Sequence, residues 1–277
     1  MLSKGGGGAR FALVAAVVGV AVLTVSAPTA ASPWFDVSFL YEPTSRTPGA
    51  DSGAHVLVVY SDPGAPNQKP KVAREVRIVY PLGTRLDPSR RPRCHATDAQ
   101  LRQQGRSACP ANTQLGVGQV EVTSGVGPPM ELDEATFNEP GGFIEVITLK
   151  GTNVVVAVEH ERVHGRMATT KPPPSCIPPG QPPSCAPFGE FAVTRFEVFA
   201  PPNGIPVTRS TLVLPPTCPR SGFWTFQMRF RFADGSRARR LSYAPCVRKA
   251  RGRPGRPGPG GAPGGGADDD DPARPTG

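Results

Sequence analysis

Residues His160-Glu161-Arg162-Val163-His164 are the one run in this 277-residue chain whose types and spacing could do chemistry. On a helix, two histidines four residues apart stand about 6 Å from each other on one face, so both can hold one zinc ion while the glutamate activates its water. His160 and His164 would be the metal ligands and Glu161 the catalytic base. The surrounding sequence argues otherwise. Residues 153–159, NVVVAVE, are rich in β-branched side chains, and Gly165 with the prolines from Pro172 leaves little room for a helix. In a strand the same spacing is about 13 Å. The histidines would then share a face and still be unable to chelate one ion.

The run resembles the motif of the zinc peptidases, in which the interior positions and the position before the first histidine are usually uncharged. Here Glu159 and Arg162 are charged. A third ligand would also be needed; Glu190 and Glu197 are candidates, neither in a recognisable context, and His55 and His95 have no companions that suggest a site. A secreted zinc-dependent hydrolase is therefore the alternative reading, with zinc as a cofactor under that reading only. The chain otherwise carries no Gly-x-Ser-x-Gly elbow, Walker loop, dinucleotide fingerprint or aromatic-basic nucleic-acid pattern.

A second set of candidates lies in the stretch from Cys218 to Cys246. Trp224, Phe226, Met228, Phe230 and Phe232 alternate with Thr225, Gln227, Arg229 and Arg231, the pattern of a strand with one dry face. Asp234-Gly235 predicts a two-residue turn, which would set Phe226 against Tyr243, Met228 against Leu241 and Trp224 against Pro245. Arg229 would then oppose Arg240. With Arg231 they form either a solvated outer face or a candidate anion-binding strip.

Further strands are predicted at residues 34–41, 55–60, 74–81, 117–123, 143–149, 154–160, 191–199 and 211–214, with the stretch around Val154 to Val158 buried on both faces. One helix is expected, between Cys94 and Cys109, with Thr97 and Gln100 as a capping box and Gly105 at its end. Short strands separated by Gly and Pro turns imply an all-β fold, an antiparallel β-sandwich or partly closed barrel, in one domain or two packed β units over residues 32–246.

Residues 1–31 read as a signal peptide: Lys4 and Arg10 precede an apolar run, and Thr29-Ala30-Ala31 offers small residues for cleavage. An uncleaved membrane anchor is the variant reading. All six cysteines follow this segment, and an even number in an exported chain implies disulfides. Of about 15 connectivities, neighbours are favoured: Cys94 with Cys109, Cys176 with Cys185, Cys218 with Cys246. Residues 172–187 are too proline-dense for regular structure other than an extended surface excursion. The tail, residues 247–277, is rich in Arg, Gly, Pro and Asp and is expected to be disordered. The net charge of +9 becomes +7 without Lys4 and Arg10, and +5 without the tail, whose six basic residues face four aspartates. This moderate excess suits loose association with anionic wall polymer or a membrane surface, and does not call for nucleic acid.

The run TCP, then GFWTFQMRFRFADG, then PC is similar to the C-terminal portion of a group of secreted actinobacterial proteins. The stretch CHATDAQLRQQGRSACPANTQLGVG resembles their segment of cysteine, short helix, Ala-Cys-Pro and Gly-x-Gly, and ATFNEPGGFIEV is a weaker match to a strand pair. The resemblance implies an exported, disulfide-tied β domain, and carries no activity or site residues with it. The expected role is structural or binding, in the cell envelope or outside the cell.

Overall fold

The computed structural model describes residues 36–173, 190–201 and 210–247. The expected signal segment, the Cys176–Cys185 pair and the tail beyond Val247 lie outside them. The strands are β1 (Asp36–Pro43), β2 (Asp51–Ser52), β3 (Ala54–Ser61), β4 (Ala73–Val79) and β5 (Arg85–Leu86), then β6 (Gln114–Thr123), β7 (Met130–Glu139), β8 (Gly142–Leu149), β9 (Val155–His164) and β10 (Met167–Thr170). The chain finishes with β11 (Ala192–Ala200), β12 (Leu212–Val213), β13 (Phe223–Phe232) and β14 (Arg237–Pro245). Helix α1 (Asp98–Gln104) is the one α-helix among the described residues.

Eleven of these strands form one antiparallel sheet in the order β1-β3-β11-β6-β7-β8-β9-β10-β4-β13-β14. It curls until its two ends meet, so the fold is a nearly closed barrel. No ladder joins β1 to β14 among the described residues. Side chains bridge the seam instead: Ser242 Oγ accepts from the Tyr41 N–H at 2.9 Å, and Arg240 donates to the Val37 carbonyl and, at 3.2 Å, to Asp36. Inside, Val37, Phe39, Tyr41, Trp224, Phe226 and Met228 pack as the core beside the seam. A second apolar group, Val120, Val122, Leu132, Ile147 and Ala157, fills one end of the barrel.

The walls β7, β8 and β9 are covered on the outside as well. Thr97 caps α1 in the expected capping box, Gly105 ends it at φ 63, and the Cys94–Cys109 disulfide ties its loop, with Cα atoms 5.1 Å apart. Leu101, fully buried, packs against Ala135, Phe137, Ile144, Val146, Val155 and Val158. This layer explains why β7 to β9 bury residues of both parities. At the other end, the small sheet β2-β12-β5 and the loop before Cys94 lie on the rim, where Asn138 Nδ2 donates to the carbonyls of Pro88, Arg91 and Pro92.

The final hairpin differs from the sequence expectation by one residue. The Phe232 N–H donates to the Ser236 carbonyl at 2.9 Å, so the loop holds Ala233, Asp234 and Gly235, with Gly235 at φ 81. Three-residue hairpins place glycine at that left-handed position. The register follows the loop: Arg229 opposes Arg239, and Met228 opposes Arg240. A one-residue slip turns every side chain of the returning strand over. Tyr243 and Leu241, expected on the dry face, point outward, and Ala238, Ser242 and Ala244 take the inner positions opposite Phe230, Phe226 and Trp224. Cys218 and Cys246 are bonded, as expected, with Cα atoms 5.6 Å apart.

Candidate functional site

The His-Glu-x-x-His run lies entirely on β9, which continues as a strand to His164. Alternation sends its members to opposite sides of the barrel wall. His160 faces outward beneath α1: its Nδ1 lies 3.1 Å from both Glu139 oxygens and its Nε2 2.9 Å from Asp98 Oδ1. Burial opposes its charge, but the hydrogen bonds with Asp98 and Glu139 prevail, and its pKa is raised. Arg162 adds a 3.0 Å pair to Glu139, and His164 is exposed at the strand end. Glu161 points the other way, into the lumen. The residues do not fit a shared zinc ion. The proposed third ligands are engaged elsewhere: Glu190 with Arg74, and Glu197 with His55 at 2.9 Å and Arg195 at 2.6 Å. His55 thus has companions after all, Glu42 and Glu197, and it stacks on Phe199 with ring centres 4.4 Å apart.

Glu161 leads to the site that the sequence concealed. The barrel holds a cavity of about 220 Å³ that is partly open to solvent. One wall is apolar: Val56 and Val58 of β3, Phe196 and Val198 of β11, and Val76, Ile78 and Met228 across the lumen. The other wall carries carboxyl groups on adjacent strands. Glu145 of β8 stands directly opposite Glu159 of β9, and Glu161 is the next inward residue along β9. Glu134 of β7 lies behind them, accepting a 2.7 Å bond from the cavity-lining Thr136. Its second oxygen is buried with no hydrogen-bond partner, and it sits over Gly118, where a Cβ would come within 2.8 Å of it.

Glu134 is fully buried and Glu145 nearly so, whereas Glu159 and Glu161 are half-buried and face the cavity; α1 covers the outer side of this wall. Burial raises the pKa of Glu145 to about 7. Burial, reinforced by the neighbouring carboxylates, raises Glu134, Glu159 and Glu161 to about 8. Across the lumen, the phenols of Tyr41, Tyr60 and Tyr80 are pushed up, chiefly by burial and further by these same carboxylates. The sequence held one signal of this: glutamates at alternate positions of strands whose other residues are apolar.

The candidate arginines divide. Arg240 belongs to the seam and not to the outer strip. Arg229 and Arg231 remain outward and are joined by residues that the sequence reading did not select. Arg77, Arg229 and Arg239 stand side by side across β4, β13 and β14, and Arg231 and Arg237 form the next row with Glu75. Among the described residues no group of three His, Cys, Asp or Glu side chains is arranged to hold a metal ion, and no helix is long and apolar enough to cross a membrane. No family model matches the chain, and no curated protein or solved structure matches it.

Proposed function

We propose that this is an exported, non-enzymatic binding protein of the cell envelope or extracellular space, which holds a small, largely apolar molecule inside its barrel. The observation that carries the reading is the cavity in the barrel with its apolar wall. Two disulfides fit an oxidising compartment, and the N-terminal segment, read as a signal peptide, supports export. The test is titration with N-phenyl-1-naphthylamine, a neutral apolar dye that fluoresces when removed from water. Saturable binding of one dye per protein, weakened at least about tenfold by Ile78→Phe at unchanged circular dichroism, supports lumen binding. Absence of saturable binding overturns it.

A second reading rests on the outward arginines: retention on anionic envelope polymer. The rows formed by Arg77, Arg229, Arg239, Arg231 and Arg237 support it, with Glu75 as the acidic neighbour. Such retention on immobilised polyphosphate should fall steeply with salt and be lost in Arg229→Ser/Arg231→Ser. Salt-insensitive retention, or retention unchanged in that variant, counts against it.

A further inference from the structure

Three carboxyl groups line the lumen, Glu145, Glu159 and Glu161, and among the described residues none of them forms an ion pair; Glu134 beside them is held down in part by the charge of Arg106. Glu145 is only 9% exposed, lines the cavity, and forms no hydrogen bond or ion pair among the described residues. Glu159 and Glu161 keep part of their surface on the same cavity and are likewise without such partners. Arg91 lines the cavity but pairs with none of them; its neighbourhood is the rim strapped by Asn138. Buried carboxyls ordinarily have hydrogen-bond partners, because an unmatched one costs its full desolvation. Three together, on the strands that the helix also seals from outside, form an unmatched acceptor surface facing an apolar wall.

We propose that the lumen ligand is an apolar amine, with its ammonium group among Glu145, Glu159 and Glu161 and its hydrocarbon body along Val56, Val58 and Phe196. This rests on the lumen-binding reading and adds the class of ligand. An ammonium is a compact cation with three N–H donors, matched to carboxylates spread over two strands. A metal ion would need ligands converging on one point, and no such group exists among the described residues. An anion would find no counter-charge among these acids and would oppose their ionisation. A neutral hydrocarbon would fill the apolar wall and leave the acceptors unmatched.

An ammonium favours the ionised form of the acids around it, so binding at pH 6 should release protons from the lumen, which no purely structural role of these glutamates would produce. The experiment compares octylamine, octan-1-ol and octanoate as competitors of the bound dye, with calorimetry in buffers of different ionisation heat. Octylamine should compete at least about tenfold better than octan-1-ol, with octanoate weakest, and should release about one proton per molecule bound at pH 6. Glu145→Gln should remove most of the octylamine preference, read within that variant as the ratio of competition by octylamine to competition by octan-1-ol. Glu159→Gln serves the same purpose should the first variant fail to fold. Dye binding with equal competition by octylamine and octan-1-ol in the unmodified protein overturns the amine and leaves lumen binding standing. No dye binding at all removes both.

Discussion

Glu145 is a carboxylic acid in a place where an amide of the same shape would need no proton. Above its raised pKa it must ionise inside the barrel beside Glu159, and the fold bears that cost. Glu145→Gln should therefore raise the melting temperature at pH 8 by a few degrees and change it little at pH 4, as read by calorimetry at both values; a rise of equal size at pH 4 would point to packing instead of charge. Gly118 has the opposite character. An added Cβ would lie 2.1 Å from the Glu197 carbonyl oxygen and 2.8 Å from Glu134 Oε2, and a backbone neighbour cannot swing aside. Gly118→Ala should lower stability by about 1–3 kcal/mol or more in urea denaturation, as overpacking does. An unchanged midpoint would mean that β6 and β11 sit farther apart than described.

At the scale of elements, β9 joins both sides of the wall: Glu161 and Glu159 belong to the lumen, while His160 fastens α1 through Asp98 and holds Glu139. His160→Ala leaves the buried Glu139 carboxylate with Arg162 alone, and should destabilise by about 1–3 kcal/mol with faster hydrogen exchange concentrated in α1. Exchange rising uniformly instead would show that the histidine is not the helix's anchor. The helix was legible in the sequence because capping is local: Thr97, Gln100 and Gly105 state it within nine residues. The strand character of the His-Glu-x-x-His run was legible too, from the β-branched residues before it. The hairpin register was not, because Asp-Gly fits a two-residue turn and a three-residue loop equally, and the choice decides whether Tyr243 or Ser242 faces in. Nor was the lumen, since alternation assigns glutamates and valines to faces without saying which face closes on itself. Arg240 shows the consequence: read as part of an outer strip, it is a seam residue bound to Val37 and Asp36. Arg240→Leu should raise amide exchange along β1 more than along β13; equal exchange in the two strands would locate closure elsewhere.

For the whole molecule, the titrating groups combine into a stability profile with a definite slope. In the unfolded chain Glu134, Glu145, Glu159 and Glu161 lose their protons near their ordinary pKa of about 4.3; folded, they hold them to about 7 for Glu145 and about 8 for the other three. Between those limits the native state binds more protons than the unfolded one, so stability falls as pH rises, by about 1.4 kcal/mol per pH unit for each proton in excess. His160 acts in the same sense: its raised pKa gives a contribution complete below the unfolded value and lost as pH climbs through the folded one. Glu197 and Asp234 act oppositely. Hydrogen bonding by Arg195 lowers the first and by Lys71 the second, so their contributions exist above their unfolded values and disappear as pH falls through the folded ones. The two trends meet near pH 4, in the ordinary carboxyl range, where the ligand-free protein should be most stable. Urea midpoints measured from pH 3 to 9 at constant salt should peak there and decline continuously to pH 8. A midpoint that rises between pH 5 and pH 8 would mean that the lumen carboxyls already have a counter-charge in the free protein, and it would remove the physical reason for a cationic ligand.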